Sequence, residues 1–349
     1  MSDKHLIDSE IQKIADRIFD QNSKQKFEPE KTYIKYAGMV FDKKEIHAAI
    51  EALVSSFVNN WFPLGANTTE FQSKLASYLG VKKTVYVNSG SSANLISVAS
   101  LVAGRKIKKG DEAITLAATF PTTINPILIY GLKPVLIDVI LPSYSSNIDE
   151  LEKAITKKTK LILLPHINGS PHDMQRIMEI ARKHDLFVIE DCCDALGSKF
   201  NDKMVGTYGN LGTFSFYAAH HISTGEGGAI AGNDEELIST AESIRDWGRM
   251  NLKAESTRHR KLSLQNVSKE LPEDYEDRYT YINIGYNLKP IDMQAAIGSQ
   301  QLEKLNKFNS QRKHNYKFLF ENLVKFDDKL ILPEGLPKAD PSWFVFPIT

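Results

Sequence analysis

Positions 220 and 221 are both histidine, set between the strand-like FSFYA and the glycine-rich STGEGGAI, Phe214 to Ile230 in all. An unperturbed imidazole titrates at about 6.5, so one such side chain can take and return a proton near neutral pH. Side chains alternate along a strand, so a doublet ending one sends its rings to opposite sides and makes a poor metal clamp. Taken alone, such a pair is more often structural than catalytic. VIEDCCDALG, Val188 to Gly197, places Glu190, Asp191 and Asp194 at the end of an apolar run. Carboxylates there are costly unless paired, so one of them either holds the proton of a ligand ring nitrogen or caps a helix.

Two further segments belong with these. In NSGSSAN, Asn88 to Asn94, a strand ends in a small polar turn that opens a helix. Main-chain N–H groups and the hydroxyls of Ser91 and Ser92 could face an anion there; the competing reading is a plain N-cap followed by Gly90. ATFPTTINP, Ala118 to Pro126, supplies Phe120, either a stacking surface for a flat ligand or a core residue. No P-loop is present, GEGG at 225–228 is not a dinucleotide fingerprint, and neither HExxH nor CxxC occurs.

The elements that must carry these residues alternate. Helical patterns lie at TEFQSKLASYLG, SSANLISVASLVAG, MQRIMEIARKHD and DEELISTAESIRDWG. Seven apolar or β-branched runs complement them: TVYVNS, EAITLAA, KPVLIDV, KLILLPHI, LFVIEDC, GTFSFYA and GGAIAG. The expectation is an α/β fold, a seven-stranded mostly parallel sheet with helices on both faces. Only a short loop separates the last two strands, so one of them can run antiparallel. Residues 1–36 read as an N-terminal helical arm, 37–250 as the large domain, and 251–280 as a polar lid or loop. Residues 281–349 read as two amphipathic helices, IDMQAAIGSQQLEKLNKF and SQRKHNYKFLFENLVKF, then a strand-like PSWFVFPIT. That makes a C-terminal small domain that looks incomplete.

The 349 residues carry 43 Lys+Arg against 43 Asp+Glu, which argues against a broad polyanion-binding surface and hence against nucleic acid as a partner. The only cysteines are the neighbours Cys192 and Cys193, which do not make a disulfide framework. The chain has no signal-peptide h-region and no apolar run of about 18 residues, so the expectation is a cytoplasmic protein with no membrane partner.

Together and in this order, the segments resemble the pyridoxal-phosphate-dependent sugar aminotransferase/dehydratase (DegT/DnrJ/EryC1/StrS) family of the aspartate-aminotransferase fold. The resemblance implies roles. SGSSAN, with Gly90, Ser91 and Ser92, would hold the cofactor phosphate. Phe120 would stack on the pyridine, Asp191 would pair with its ring nitrogen, and Ser215 would give a second phosphate-binding hydroxyl. Asp194 and Tyr217 would sit near the phenolic oxygen. Asn287 of GYNLKPIDMQAA would reach the cofactor of a partner subunit, which implies a homodimer.

Ordinary members read S-F-x-x-x-K, and the lysine carries the cofactor. Here Ser215-Phe-Tyr-Ala-Ala is followed by His220. This substitution resembles the sugar 3-dehydratases, nearest those acting on CDP-4-keto-6-deoxy-D-glucose, with the GDP-linked branch sharing the histidine. In such chemistry pyridoxamine phosphate (PMP) condenses with the 4-keto sugar, His220 serves as base and possible acid, and the C3 hydroxyl is expelled. The CDP branch carries a [2Fe–2S] cluster whose cysteines mostly follow RDWGR. Here MNLKAESTRHRKLS follows it, without cysteine, so no iron–sulfur centre is expected. The implied cofactor is then PLP/PMP alone, with glutamate restoring the amine. Alternatives are a nucleotide-sugar aminotransferase and an inactive PLP-fold protein.

Overall fold

The computed structural model describes residues 3–22, 27–250 and 279–349. The lid expected over 251–280 therefore lies outside the described residues, save for 279 and 280. The chain begins with helices α1 (Asp3–Asn22), α2 (Lys43–Val58) and α3 (Ala66–Leu79). It continues through β1 (Lys83–Val87), α4 (Gly90–Ala103), β2 (Glu112–Leu116), α5 (Pro121–Ile129) and β3 (Lys133–Ile137). Then come β4 (Val139–Ile140), β5 (Ser145–Ser146), α6 (Ile148–Lys153), β6 (Thr159–Pro165), α7 (Met174–His184) and β7 (Phe187–Asp191). The ribbon β8 (Lys199–Phe200) and β9 (Lys203–Met204) precedes β10 (Leu211–Ser215), β11 (Gly228–Gly232) and α8 (Glu235–Arg245). Helix α9 (Asp292–Leu323) and the short β12 (Ala339–Asp340) follow.

All seven expected strands form and join one sheet, ordered β1-β11-β10-β7-β6-β2-β3. Strand β11 pairs antiparallel with both its neighbours, while β10–β7, β7–β6, β6–β2 and β2–β3 are parallel. The short loop between β10 and β11 permits that reversal, as expected. Side-chain alternation divides the core. Val85 and Val87 of β1 pack with Ile96 of α4 and Ile238 of α8 on one face, whereas Tyr86 packs with Phe71 of α3 and Leu305 of α9 on the other. Farther along that second face, Ile162 and Leu164 meet Leu151 of α6 and Ile177 of α7. The sheet is thus an apolar slab covered on both sides, and its polar chemistry is confined to its edges and strand ends. No helix among the described residues is long and apolar enough to cross a membrane.

Three local features differ from the sequence reading. Residues 43–58, which that reading left without a helix, form α2. Its start is a capping box in which Asp42 accepts from Lys44 N and Glu45 returns to Asp42 N. The two C-terminal helices are one helix of 32 residues. The polar stretch NKFNSQRKHN looked like a break, but Asn309 is buried there and its Oδ1 accepts from Ser342 Oγ at 2.9 Å. A polar residue with a buried partner continues a helix as well as an apolar one. PSWFVFPIT is not a strand, because its main chain pairs piecemeal with separate elements. Ser342 N donates to Ser198 Oγ, Phe344 N to Asn168 O and Thr349 N to Ile331 O.

Helix α9 also fixes the start of α3. The buried Asp292 carboxylate accepts from Thr68 N and Thr68 Oγ1, both at 2.8 Å, and from Asn67 Nδ2 at 2.7 Å. A Cβ on Gly65 would stand 2.6 Å from that carboxylate, so only glycine lets it approach. Asp292→Ala should strip several buried donors of their acceptor and lower stability by about 2–3 kcal/mol. Urea unfolding followed by circular dichroism measures this; an unchanged midpoint would deny the cap its role.

Candidate active site

The carboxyl ends of the parallel strands open onto one cavity of about 670 Å³. It is formed by the turn after β1, the segment after β2, the end of β6, the end of β7 and the turn after β10, the edge at which open α/β sheets bind ligands. Phe344 of the C-terminal segment closes one side.

Asp191 ends β7 and faces this cavity while remaining buried. Its Oδ2 accepts from Asn94 Nδ2 at 2.7 Å and from Thr123 Oγ1 at 2.8 Å. Thr213 in turn donates to Asn94 Oδ1 at 2.6 Å and fixes the amide's orientation. Its Oδ1 has the weaker partner Cys193 N at 3.2 Å. The inner oxygen is thus saturated, and the outer one has capacity for a proton-bearing ring nitrogen. Next to it in sequence, Glu190 points away into the protein. Its oxygens accept from Gly206 N, Tyr208 N and Gly209 N at 2.7–2.8 Å, with His166 Nε2 at 3.3 Å.

At the α4 end, Ser89 is the N-cap: its Oγ accepts from Ser92 N at 3.1 Å and donates to Ser92 Oγ at 3.0 Å. Ser92 is buried beside that cap and is not among the residues lining the cavity. Ser89, Gly90 and Ser91 do line it, as does Ser215 from the end of β10. The helix start and two hydroxyls therefore converge on one spot, a ready site for a phosphate. Phe120 is 70% exposed, a large apolar face turned to the opening rather than to the core. Asp194 and Tyr217 line the same space, whereas Asn287 is exposed and lies outside its own chain's cavity, bridged to Asp246.

The histidine doublet does not end the sixth strand. Strand β10 stops at Ser215, and the doublet sits in a turn closed by His220 N donating to Tyr217 O at 3.0 Å. The two rings nevertheless part company. His221 is buried, and its Nε2 donates to Ser342 O at 2.7 Å; burial pushes its pKa down to about 3. His220 lines the cavity with Nδ1 3.6 Å from Asp194 Oδ1. Burial lowers its pKa to about 4; the Asp191 charge opposes this and the Arg312 guanidinium adds to it. Asp194 moves the other way, up to about 7, through burial first and then the Asp191 charge, against a main-chain hydrogen bond from Asn168. At neutral pH the pair thus consists of a neutral imidazole and a carboxyl that retains much of its proton.

Sequence reasoning missed Asn94, Thr123, His166, Arg312 and Phe344. The first two stand inside the quoted NSGSSAN and ATFPTTINP, where a side-chain partner for a buried carboxylate could have been sought. Arg312 and Phe344 carry no such signal, because each meets the doublet only through a contact between segments far apart in the sequence.

A sequence profile of the DegT/DnrJ/EryC1/StrS aminotransferase family matches residues 42–349. The chain belongs to that family. It is 43% identical over 320 residues to the lipopolysaccharide biosynthesis protein RfbH of Salmonella typhimurium, covering 90% of this chain and 72% of that protein. It is 41% identical over 325 residues to the dTDP-4-dehydro-2,6-dideoxy-D-glucose 3-dehydratase of Saccharopolyspora spinosa, covering 91% and 69%. A crystal structure of GDP-4-keto-6-deoxymannose-3-dehydratase with a trapped PLP-glutamate geminal diamine superimposes with a TM-score of 0.78 at 32% identity, covering 90% and 78%. The fold is therefore that of the aspartate-aminotransferase-like PLP enzymes, and the chain is an enzyme fold of nucleotide-sugar biosynthesis.

The cavity of this DegT/DnrJ/EryC1/StrS member fits PLP on its own geometry. A Cβ on Gly90 would lie 2.5 Å from Ser215 Cβ and 2.8 Å from Cys193 Sγ, so only glycine lets the α4 start lie this close to Ser215. Gly90→Ala should push Ser215 out of place and weaken PLP binding by roughly tenfold or more, the loss of one or two charge-assisted hydrogen bonds. Titration of the protein with PLP by absorbance tests this; native affinity in the variant would remove Gly90 from the phosphate site.

Proposed function

We propose that this chain is a PLP/PMP-dependent 3-dehydratase that removes the C3 hydroxyl of a nucleotide-linked 4-keto-6-deoxyhexose, with His220 as its base. One observation carries the reading: among the described residues the cavity is lined by His220 and by no lysine. An amine at that place would hold the cofactor covalently and favour amino transfer. An imidazole with a pKa of about 4 is neutral at physiological pH and so is free to accept a proton.

The bound cofactor would supply an amine for the keto carbon and an electron sink. The protein's own groups do the rest. The α4 start with Ser91 and Ser215 would bind the phosphate, Phe120 would cover one face of the ring, and Asp191 would hold the ring-nitrogen proton. His220 accepts a proton on its imidazole and can return it to the hydroxyl departing from C3, a poor leaving group without an acid. Asp194 Oδ1 lies 3.6 Å from its Nδ1, close enough to act on its charge but beyond hydrogen-bond reach. Similarity to dTDP- and GDP-sugar 3-dehydratases supports the reaction class, and glutamate in the trapped GDP-sugar relative supports glutamate as amino donor. The alternative of a nucleotide-sugar aminotransferase rests on the family's name.

The active unit is proposed to be a homodimer. Tyr33, Ile34, Tyr36, Val58 and Ile284 are each at least 75% exposed, apolar side chains that a partner subunit would take out of water. Asn287, exposed and away from its own cavity, is then available to the partner's. Sedimentation equilibrium should give twice the chain mass; a monomer at micromolar concentration would defeat this part.

Incubation with PMP, glutamate and CDP-, GDP- or dTDP-linked 4-keto-6-deoxy sugars, followed by mass spectrometry, should yield a product lacking the C3 hydroxyl. His220→Asn should abolish it while PLP still binds. Because the neutral imidazole is the active form, the acid limb of kcat/KM should lie well below pH 6.5. Full turnover in the variant, or stoichiometric amino transfer to the sugar, contradicts the assignment.

A further inference from the structure

Arg312 lies two-thirds of the way along α9, half-buried, directly behind the histidine doublet. Its Nη1 donates to Phe344 O at 3.1 Å and to Trp343 O at 3.4 Å, while Nη2 donates to His220 O at 3.4 Å. One planar fork thus joins the catalytic turn to a segment more than 120 residues later in the chain. The two pieces it joins are in ring contact: His220 lies over Phe344 with centroids 5.2 Å apart and planes inclined by 31°. The neighbouring contacts hold the same segment from its other sides. His221 Nε2 donates to Ser342 O, Asn309 accepts from Ser342 Oγ, and Phe344 N donates to Asn168 O.

We propose that Arg312 is a positioning residue for His220, tying its main chain to that of Phe344 and so fixing the angle at which the imidazole enters the cavity. The inference deepens the dehydratase reading, and rests on His220 being the base. Lysine could not substitute fully, because a point charge on a flexible stem does not span two or three carbonyls in a fixed plane. Nothing in this role requires Arg312 to touch substrate. It lies outside the residues lining the cavity.

The fork also has an electrostatic effect. The charged and titratable groups facing His220 are Asp191 from β7, Asp194 from the loop after β7, Tyr217 and His221 from its own turn, and Arg312 from α9. Arg312 is the only one of these that carries a positive charge at neutral pH, and it disfavours a second positive charge on the imidazole. Removing it raises the pH at which His220 protonates, so the neutral base is lost at a higher pH.

The test uses PLP-loaded protein labelled with 13C-histidine, with the His220 resonance assigned by its loss in His220→Asn. In the native protein the ring should titrate well below 6.5. In Arg312→Gln the midpoint should move up, and kcat should fall by roughly tenfold to 10²-fold with little change in KM, as misplacement of a reacting group does. Arg312→Lys keeps the cation, so the titration should stay in place while kcat still falls severalfold. A merely structural arginine would move neither the titration nor kcat at temperatures where the variant is folded. A native titration and native kcat in Arg312→Gln overturn the proposal. If that variant does not fold, native kcat in Arg312→Lys overturns it. Should His220→Asn itself retain turnover, the dehydratase reading falls, and the titration still decides whether Arg312 acts on His220.

Discussion

Two consecutive carboxylates at the end of a buried strand set the terms for this fold. Glu190 and Asp191 conclude β7 in the middle of the sheet, and neither can be left there unpaired without a penalty of several kcal/mol. Alternation sends them to opposite sides, so each must recruit its own partners. Glu190 gathers three main-chain N–H groups from Gly206 to Gly209 and the ring of His166, which pins the loop leading into β10. Asp191 gathers Asn94 from α4 and Thr123 from α5. Satisfying one dipeptide therefore places the starts of α4 and α5 and the path into β10 around the same cavity.

The consequence for chemistry is a division of labour between the two oxygens of Asp191. Oδ2 is occupied by Asn94 and Thr123, which fix the carboxylate's plane. Oδ1 takes the longer bond from Cys193 N at 3.2 Å. The Asp191 charge then acts on its neighbours. Burial raises Asp194 and lowers His220; the Asp191 charge adds to the first shift and opposes the second. On the proposed reading, a neutral imidazole beside a carboxyl that retains much of its proton suits a reaction that must both remove a proton and protonate a leaving group.

What the sequence made legible was what depends on local pattern. The seven strands, the antiparallel last one and the segments at their carboxyl ends follow from periodicity and from where polar residues interrupt it. The choice of Asp191 over Glu190 did not follow from pattern and came only with the resemblance to a family. Where a contact crosses the chain, the pattern is silent. A hydroxyl in a helix-opening turn fits an anion ligand and a cap alike, and only the tertiary structure shows that Ser89 is the cap, its Oγ accepting from Ser92 N at 3.1 Å. PSWFVFPIT looked like a strand because alternating bulk is all a strand requires. Its hydrogen bonds instead go to a helix, a turn and two loops, which no local pattern encodes.

The same limit explains the odd doublet. Histidine at 221 has no signature apart from its neighbour, yet its ring is as constrained as that of His220. It is buried, hydrogen-bonded to Ser342 O and held neutral. Because the turn at 217–220 takes the doublet out of the strand, the two rings are separated by tertiary contacts and not by pleat. Both of those contacts run to residues 342–344: His221 donates to one carbonyl of the segment, and His220 lies over one of its rings. Residues 342–344 are therefore part of the cavity's surroundings. On the proposed reading, the orientation of the base is set by a helix and a segment that share no sequence neighbourhood with it.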